Sequence, residues 1–215
     1  YLLTALLRDP VNGCPWDKVQ THTSIRMNFL EEAYEAVDAL DLDDPVLMCE
    51  ELGDVLMQVA FHTCMEQETG RFTWEQVCDG VCQKLIERHP NIFGTQPGYE
   101  GITDWDALKN KEKGRRTLAD DLESVPRAMP ALMRAAKLQK RAARHGAALQ
   151  GADAAALADA AENLQTAQPA SAQAEQAVGE LLFAAANLAR QAGVDPEQAL
   201  QKANEAFCTA AGPVA

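Results

Sequence analysis

Aromatic residues are scarce in this 215-residue chain, at 6%. Strands draw heavily on aromatic and β-branched side chains, so this scarcity, with an Ala-rich second half, favours helices over sheets. Basic residues are also in deficit: 19 Lys and Arg stand against 32 Asp and Glu, a formal net charge of −13. So acidic a chain repels nucleic acid phosphates, and no nucleic acid partner is expected, but bound cations still allow it a phosphorylated small molecule. No apolar run is long enough to cross a bilayer, and no stretch has the layout of a signal peptide. None of the six cysteines (Cys14, Cys49, Cys64, Cys78, Cys82, Cys208) forms a C-x-x-C pair. Cys78 and Cys82 share a helix face but lack His at zinc-site spacing. The set reads as small hydrophobes in a reducing cytoplasm, so the expected location is cytoplasmic, without a membrane partner.

What is present is helical periodicity. Asp9-Pro10 and Gly13-Cys14-Pro15 end a short opening helix. The polar stretch Gln20–Ser24 offers N-caps for a helix over Ile25–Leu40, where Phe29, Ala33, Ala36, Val37 and Leu40 recur at helical spacing. Asp41–Pro45 reads as a turn. A third helix starts near Val46, and a fourth spans Trp74–Glu87, before His89-Pro90. Further on, helices are expected over Trp105–Lys113 and Ala131–Arg144. Gly151–Ala174 reads as helix with an irregular middle at Pro169, and a last amphipathic stretch breaks at Gly193 and Asp195-Pro196. The fold class is therefore all-α, built as a helical bundle. A weak internal echo adds a degenerate tandem repeat: Glu51–Leu56 resembles Ala177–Leu182, and Glu75-Gln76 recurs as Glu197-Gln198.

The chemistry concentrates between Glu31 and Asp54, a run with ten acidic residues and no basic one. Within it lie Glu32-x-x-Glu35 and Glu51-x-x-Asp54. Each pair occupies one helix face, one turn apart. Two such helices packed antiparallel bring four carboxylates to one point, where they repel one another until a divalent cation neutralises them. Oxygen-only ligands favour magnesium, with manganese as the alternative. A di-iron bundle would need Glu-x-x-His pairs, and none occurs here. Glu31 and Glu50, adjacent to the ligands, are candidates to orient or deprotonate water. Lys84 and Arg88 share a face of the fourth helix and suit phosphate oxygens. Trp105 and Lys109, also four apart, pair a stacking ring with a cation. Trp16, Lys18 and Asn28 join them in the expected substrate-binding set. A basic stripe, Arg134, Lys137, Arg141 and Arg144, reads as a solvated or subunit-facing surface.

Several motifs in order resemble the MazG nucleoside triphosphate pyrophosphohydrolases. They are Gly13–Asp17, Glu31–Glu35, Glu50–Asp54, Lys84–Phe93 (KLIERHPNIF), Trp105-x-x-x-Lys109 and Pro130-Ala131-Leu132 through Gly146. The resemblance runs through residues 2–146 and more loosely through 175–207. It implies an all-α fold of MazG-like modules, a tight homodimer, magnesium dependence, and hydrolysis of nucleoside triphosphates to monophosphate and pyrophosphate. It matches Glu32, Glu35, Glu51 and Asp54 to metal ligands, and Lys84, Arg88, Trp105 and Lys109 to nucleotide contacts. Three segments are expected: a catalytic module (1–113), a connecting segment (114–150) and a degenerate second module (151–215). In the last, Ala177 replaces an acid and Ala206 and Ala210 replace the Lys/Arg pair; in the connecting segment, after Gly146, Ala147-Ala148-Leu149 replaces the family's Phe-Asp-Trp. The alternative is a non-catalytic helical regulator that binds nucleotide or protein.

Overall fold

A computed structural model describes residues 1–90, 92–94, 108, 110 and 112–212. Among the described residues the chain is helical and has no strand. It divides into two compact units, Tyr1–Thr103 and Asp104–Ala215.

The first unit contains α1 (Leu2–Leu7), a 3-10 turn (Asp17–Val19), α2 (Arg26–Asp41), α3 (Pro45–Glu68) and α4 (Trp74–Arg88). α1, α2 and α4 each pack on α3. α3 begins where Asp44 accepts hydrogen bonds from the amides of Val46 and Leu47, with Pro45 in the first turn. Asp43 takes the turn between α2 and α3 at φ 52°, a left-handed position that Asp tolerates better than most residues. α4 starts on a reciprocal Thr73–Gln76 capping box. α2 departs from expectation: its N-cap is Ile25, without a side-chain cap. The Ser24 hydroxyl is engaged instead with Gln20 Oε1 and with the amide and carbonyl of Thr21. The buried positions of α2 are Ala36 and Ala39, small enough for close approach of two helix axes. Ile25, Phe61 and Met65 form the apolar centre.

Two polar tethers hold the loop before α2 against α3. Arg8, buried, clasps Glu68 through Nε (2.6 Å) and Nη2 (2.8 Å) and donates to the carbonyls of Asp17 and Gln20. His22 stacks on His62, with their Nδ1 atoms 2.7 Å apart, and its Nε2 lies 2.6 Å from Glu66. Glu66 in turn receives Arg71 at 2.6 Å. These contacts fix the segment that carries Trp16 and Asp17.

The second unit contains α5 (Leu118–Glu123), α6 (Ala131–Arg144), α7 (Ala154–Thr166), α8 (Ala172–Gln191) and α9 (Pro196–Ala211). α8 packs on α6, α7 and α9. Asp153, Ser171 and Asp195 cap α7, α8 and α9. The stretch expected as one helix with an irregular middle is two helices, separated by residues 167–171, where Ala170 has φ 57° and Ser171 starts a new cap. α5 was not expected; Thr117 and Asp120 cap it reciprocally. The basic stripe on α6 is not a solvated surface as a whole. Arg141 is buried and reaches Asp121 at 3.0 Å, Arg144 reaches it at 2.8 Å, and His145 lies 3.1 Å from it. Burial of Asp121 draws the cations inward, because an unpaired carboxylate there would be prohibitive.

Candidate functional site

The hairpin of α2 and α3 brings the two carboxylate pairs together. One oxygen from each of Glu32, Glu35 and Glu51 lies within 4.8 Å of the other two. This is the one such group of three or more potential metal ligands among the described residues. Asp54 lies outside that trio but close enough to act electrostatically on Glu32 and Glu51. Glu31 and Glu50 are exposed beside their neighbours and add to the negative field.

The field has a consequence for protonation. Burial, then the charges of Asp54, Glu35 and Glu31, push the Glu32 carboxyl above the ordinary carboxylate range, against a lowering hydrogen bond from Gln58. Partial burial, then the charges of Glu35, Asp54, Glu50 and Glu32, push Glu51 up as well. No ion pair joins the trio to a cation among the described residues. Convergent, uncompensated oxygen donors are the chemistry of a hard divalent cation site. Glu32, Glu35 and Glu51 could hold such an ion, with Asp54 one helical turn away.

Beside the trio lies a cavity of about 210 Å³, lined by Leu7, Trp16, Asp17, Ile25, Asn28, Glu32, Met57, Gln58 and Phe61. It therefore joins three residues expected from sequence: Trp16, Asn28 and Glu32. Its walls are mostly apolar, with a few polar groups, the usual make-up of a small-molecule site. Lys18 sits half-buried on the 3-10 turn without lining the cavity. It acts instead on Asp9, whose carboxyl is held low first by the amides of Asn12 and Val11. Lys84, exposed, and Arg88, half-buried, ride on α4, which packs on α3, but neither lines the cavity. Trp105 and Lys109 lie outside the described residues.

Two polar cavity residues stand outside the site set expected from the sequence. Gln58 donates through Nε2 to Glu32 Oε1 at 3.3 Å. It stands seven residues after Glu51 and four after Asp54, so the helical face that carries the acids also carries it. That polar residue in an apolar register was the available signal. Asp17, the last residue of the Gly13–Asp17 motif, reaches the wall where Arg8, nine residues earlier, donates to its carbonyl.

Residues 20–93 match the family model for the MazG nucleotide pyrophosphohydrolase domain, a span that includes the trio, Asn28, Gln58, Lys84 and Arg88. The chain is 42% identical over 217 aligned residues to the nucleoside triphosphate pyrophosphohydrolase of Escherichia coli (strain K12), covering 96% of this chain and 82% of that protein. It is 39% identical over 203 residues to the nucleoside triphosphate pyrophosphohydrolase/pyrophosphatase MazG of Thermotoga maritima, covering 94% of this chain and 78% of the relative. A Mycobacterium tuberculosis nucleoside triphosphate pyrophosphohydrolase matches 61% of this chain at 38% identity, covering 41% of the relative. Sequence order, helical architecture and the carboxylate hairpin agree: the chain belongs to the MazG nucleotide pyrophosphohydrolase family, hydrolases of phosphoric anhydride bonds.

Proposed function

We propose that the chain hydrolyses ribo- and deoxyribonucleoside triphosphates to nucleoside monophosphate and pyrophosphate, with magnesium or manganese held by Glu32, Glu35, Glu51 and Asp54. The observation that carries this reading is the convergence of three uncompensated carboxylates beside a cavity containing Trp16 and Asn28. Bound there, the cation supplies Lewis acidity toward the phosphate oxygens and toward water. Water attacks the α-phosphorus; the new P–O bond forms as the bond to the bridging α–β oxygen breaks. Glu31 or Glu50, exposed beside the ligands, accepts the proton at a carboxylate oxygen. Lys84 and Arg88 offset the charge gathering on the departing pyrophosphate. Trp16 and Asn28, which line the cavity, hold the nucleoside. Incubation with each nucleoside triphosphate and magnesium, with products separated by anion exchange, tests the reading. Absence of turnover on every substrate would contradict it.

Protons and cation compete for Glu32 and Glu51. Both carboxyls are pushed up, so in the metal-free fold they remain protonated to a higher pH than ordinary carboxylates. Binding requires the ionised forms and so releases protons. Magnesium affinity is expected to rise with pH through the region just above the ordinary carboxylate range, then level off. Isothermal titration in buffers of different ionisation enthalpy measures both affinity and proton release. A flat profile with no proton release would exclude Glu32 and Glu51 as ligands.

Lys84→Ala and Arg88→Ala are each expected to lower kcat/KM by roughly tenfold or more, since a charge-assisted contact contributes about 1.5–3 kcal/mol. Circular dichroism melts should shift little. The converse pattern, lower melting with unchanged kinetics, would assign the pair to stabilising the end of α4.

The first unit leaves much apolar surface in water. Tyr34, Val37, Leu40, Leu52, Leu56, Val81 and Leu85 are all roughly half-exposed or more. We assign this surface to a second copy of the chain. Sedimentation should therefore return a dimer mass, and a monomer at micromolar concentration would refute the assignment.

We read residues 151–215, within the second unit, as a degenerate second module. α7 and α8 again form a helical hairpin, and a groove there is lined by Asp159 and Glu180 among others. Asp159, Glu162 and Glu180 do not form a second convergent group. Changing all three to Ala is expected to leave turnover within about twofold. Loss of activity in a folded triple variant would move the active site, at least in part, to this unit.

A further inference from the structure

One polar atom in the cavity wall is unsatisfied. Gln58 is only 5% exposed. Its Nε2 donates to Glu32, while its Oε1 is buried without a partner. Buried acceptors are nearly always paired, and an exception at a cavity marks a place for a ligand donor. The amide cannot simply turn over. Once Glu32 is ionised, as cation binding requires, it only accepts hydrogen bonds, so the nitrogen must face Glu32 and the oxygen is left for another partner. The carboxylate cluster thus sets the polarity of the cavity wall.

We propose that Gln58 Oε1 accepts a hydrogen bond from a sugar hydroxyl of the bound nucleotide, which makes Gln58 a specificity-determining residue. The proposal rests on the pyrophosphohydrolase reading above. It follows from position. Gln58 is one hydrogen bond from Glu32, a carboxylate assigned to the cation that the phosphates engage. In a nucleotide the sugar is attached directly to the α-phosphate, and the base lies beyond it. A side chain this close to the cluster meets the sugar first. Trp16, 57% exposed, lines the same cavity and offers its indole to the base. The hydroxyl groups of the sugar are its hydrogen-bond donors, and Oε1 needs one.

The test compares wild type with Gln58→Met on one base carried by four sugars: ribose, 2′-deoxyribose, 3′-deoxyribose and 2′,3′-dideoxyribose. In wild type, removing the bonded hydroxyl should lower kcat/KM roughly tenfold, because the buried acceptor is again left unpaired. In Gln58→Met the same pair of substrates should agree within about twofold. Gln58→Asn, which withdraws the carbonyl by one methylene, should behave likewise if the Met variant folds poorly. The four nucleoside monophosphates, compared by calorimetric Kd, give a readout that needs no turnover and should show the same ratios. Equal wild-type values for all four sugars would overturn the proposal. So would a uniform loss of kcat in Gln58→Met with the sugar ratios intact, which would make Gln58 a positioning residue for Glu32. A ratio that follows donors on the base edge and not the sugar would overturn it too. Failure of wild type to hydrolyse any triphosphate would count against the pyrophosphohydrolase reading, while the monophosphate ratios would still decide the role of Gln58.

Discussion

Glu51→Gln is expected to lower turnover at least about 100-fold at saturating magnesium, and Asp54→Asn to lower it comparably. Glu51 belongs to the convergent trio, and its carboxyl is pushed up first by partial burial and then by its acidic neighbours. The amide keeps the size of the side chain but removes the charge. Cation affinity should fall, while the helices should lose nothing, because the substitution relieves repulsion among Glu32, Glu35 and Glu51. The variant is therefore expected to be as stable as wild type, or more stable, without magnesium, and to gain little when magnesium is added. Steady-state kinetics with a magnesium titration and parallel thermal melts measure both effects. Near-normal kcat would remove Glu51 from the ligand set.

The second large effect concerns the stability of the second unit. Asp121→Ala is expected to destabilise the protein by about 3–5 kcal/mol, the usual cost of breaking a buried ion pair from one side. Asp121 is 1% exposed and receives Arg141, Arg144 and His145. Arg141, itself 6% exposed, also donates to the Asp121 carbonyl and to the Ser124 hydroxyl. Its charge would remain buried after the substitution. The same site predicts a pH dependence. Burial alone would raise the Asp121 carboxyl; hydrogen bonds from Arg144, Asn110 and His145 and the charge of Arg141 outweigh it, so the net shift is downward. A lowered folded-state pKa means that stability is present above the unfolded value and is lost as pH falls through the folded one. Acid unfolding of wild type should therefore steepen below the ordinary carboxylate range, and Asp121→Ala should lack that component. Urea melts from neutral pH down to pH about 3 would show it. Identical acid limbs in the two proteins would exclude the cluster as a source of stability.

The acidic hairpin is legible in the sequence because two periodicities coincide there. The apolar spacing of α2 and α3 predicts their faces, and the i, i+3 acids recur on both helices flanking the turn that joins them. α6 is equally plain, from Ala131 to Arg144, because Pro130 and Gly146 bracket it. What escapes is non-local or short. α5 has six residues and an Asp where a Glu or Gln usually completes the capping box. Arg141 reads as surface charge until Asp121, twenty residues earlier, is known to be buried against it. The tethers Arg8–Glu68 and His22–His62 span 60 and 40 residues and carry no local signature. Gln58 is visible as a polar residue on the acidic face, but its unpaired oxygen emerges only once Glu32 is placed across the hairpin.

The central claim concerns which anhydride bond breaks. It is tested by hydrolysing a nucleoside triphosphate with magnesium in ¹⁸O-labelled water and analysing the products by mass spectrometry. The account predicts unlabelled pyrophosphate and nucleoside monophosphate carrying one ¹⁸O on its phosphorus, with the yield lost in Glu51→Gln. Nucleoside diphosphate with labelled orthophosphate, or the label in pyrophosphate, would contradict it.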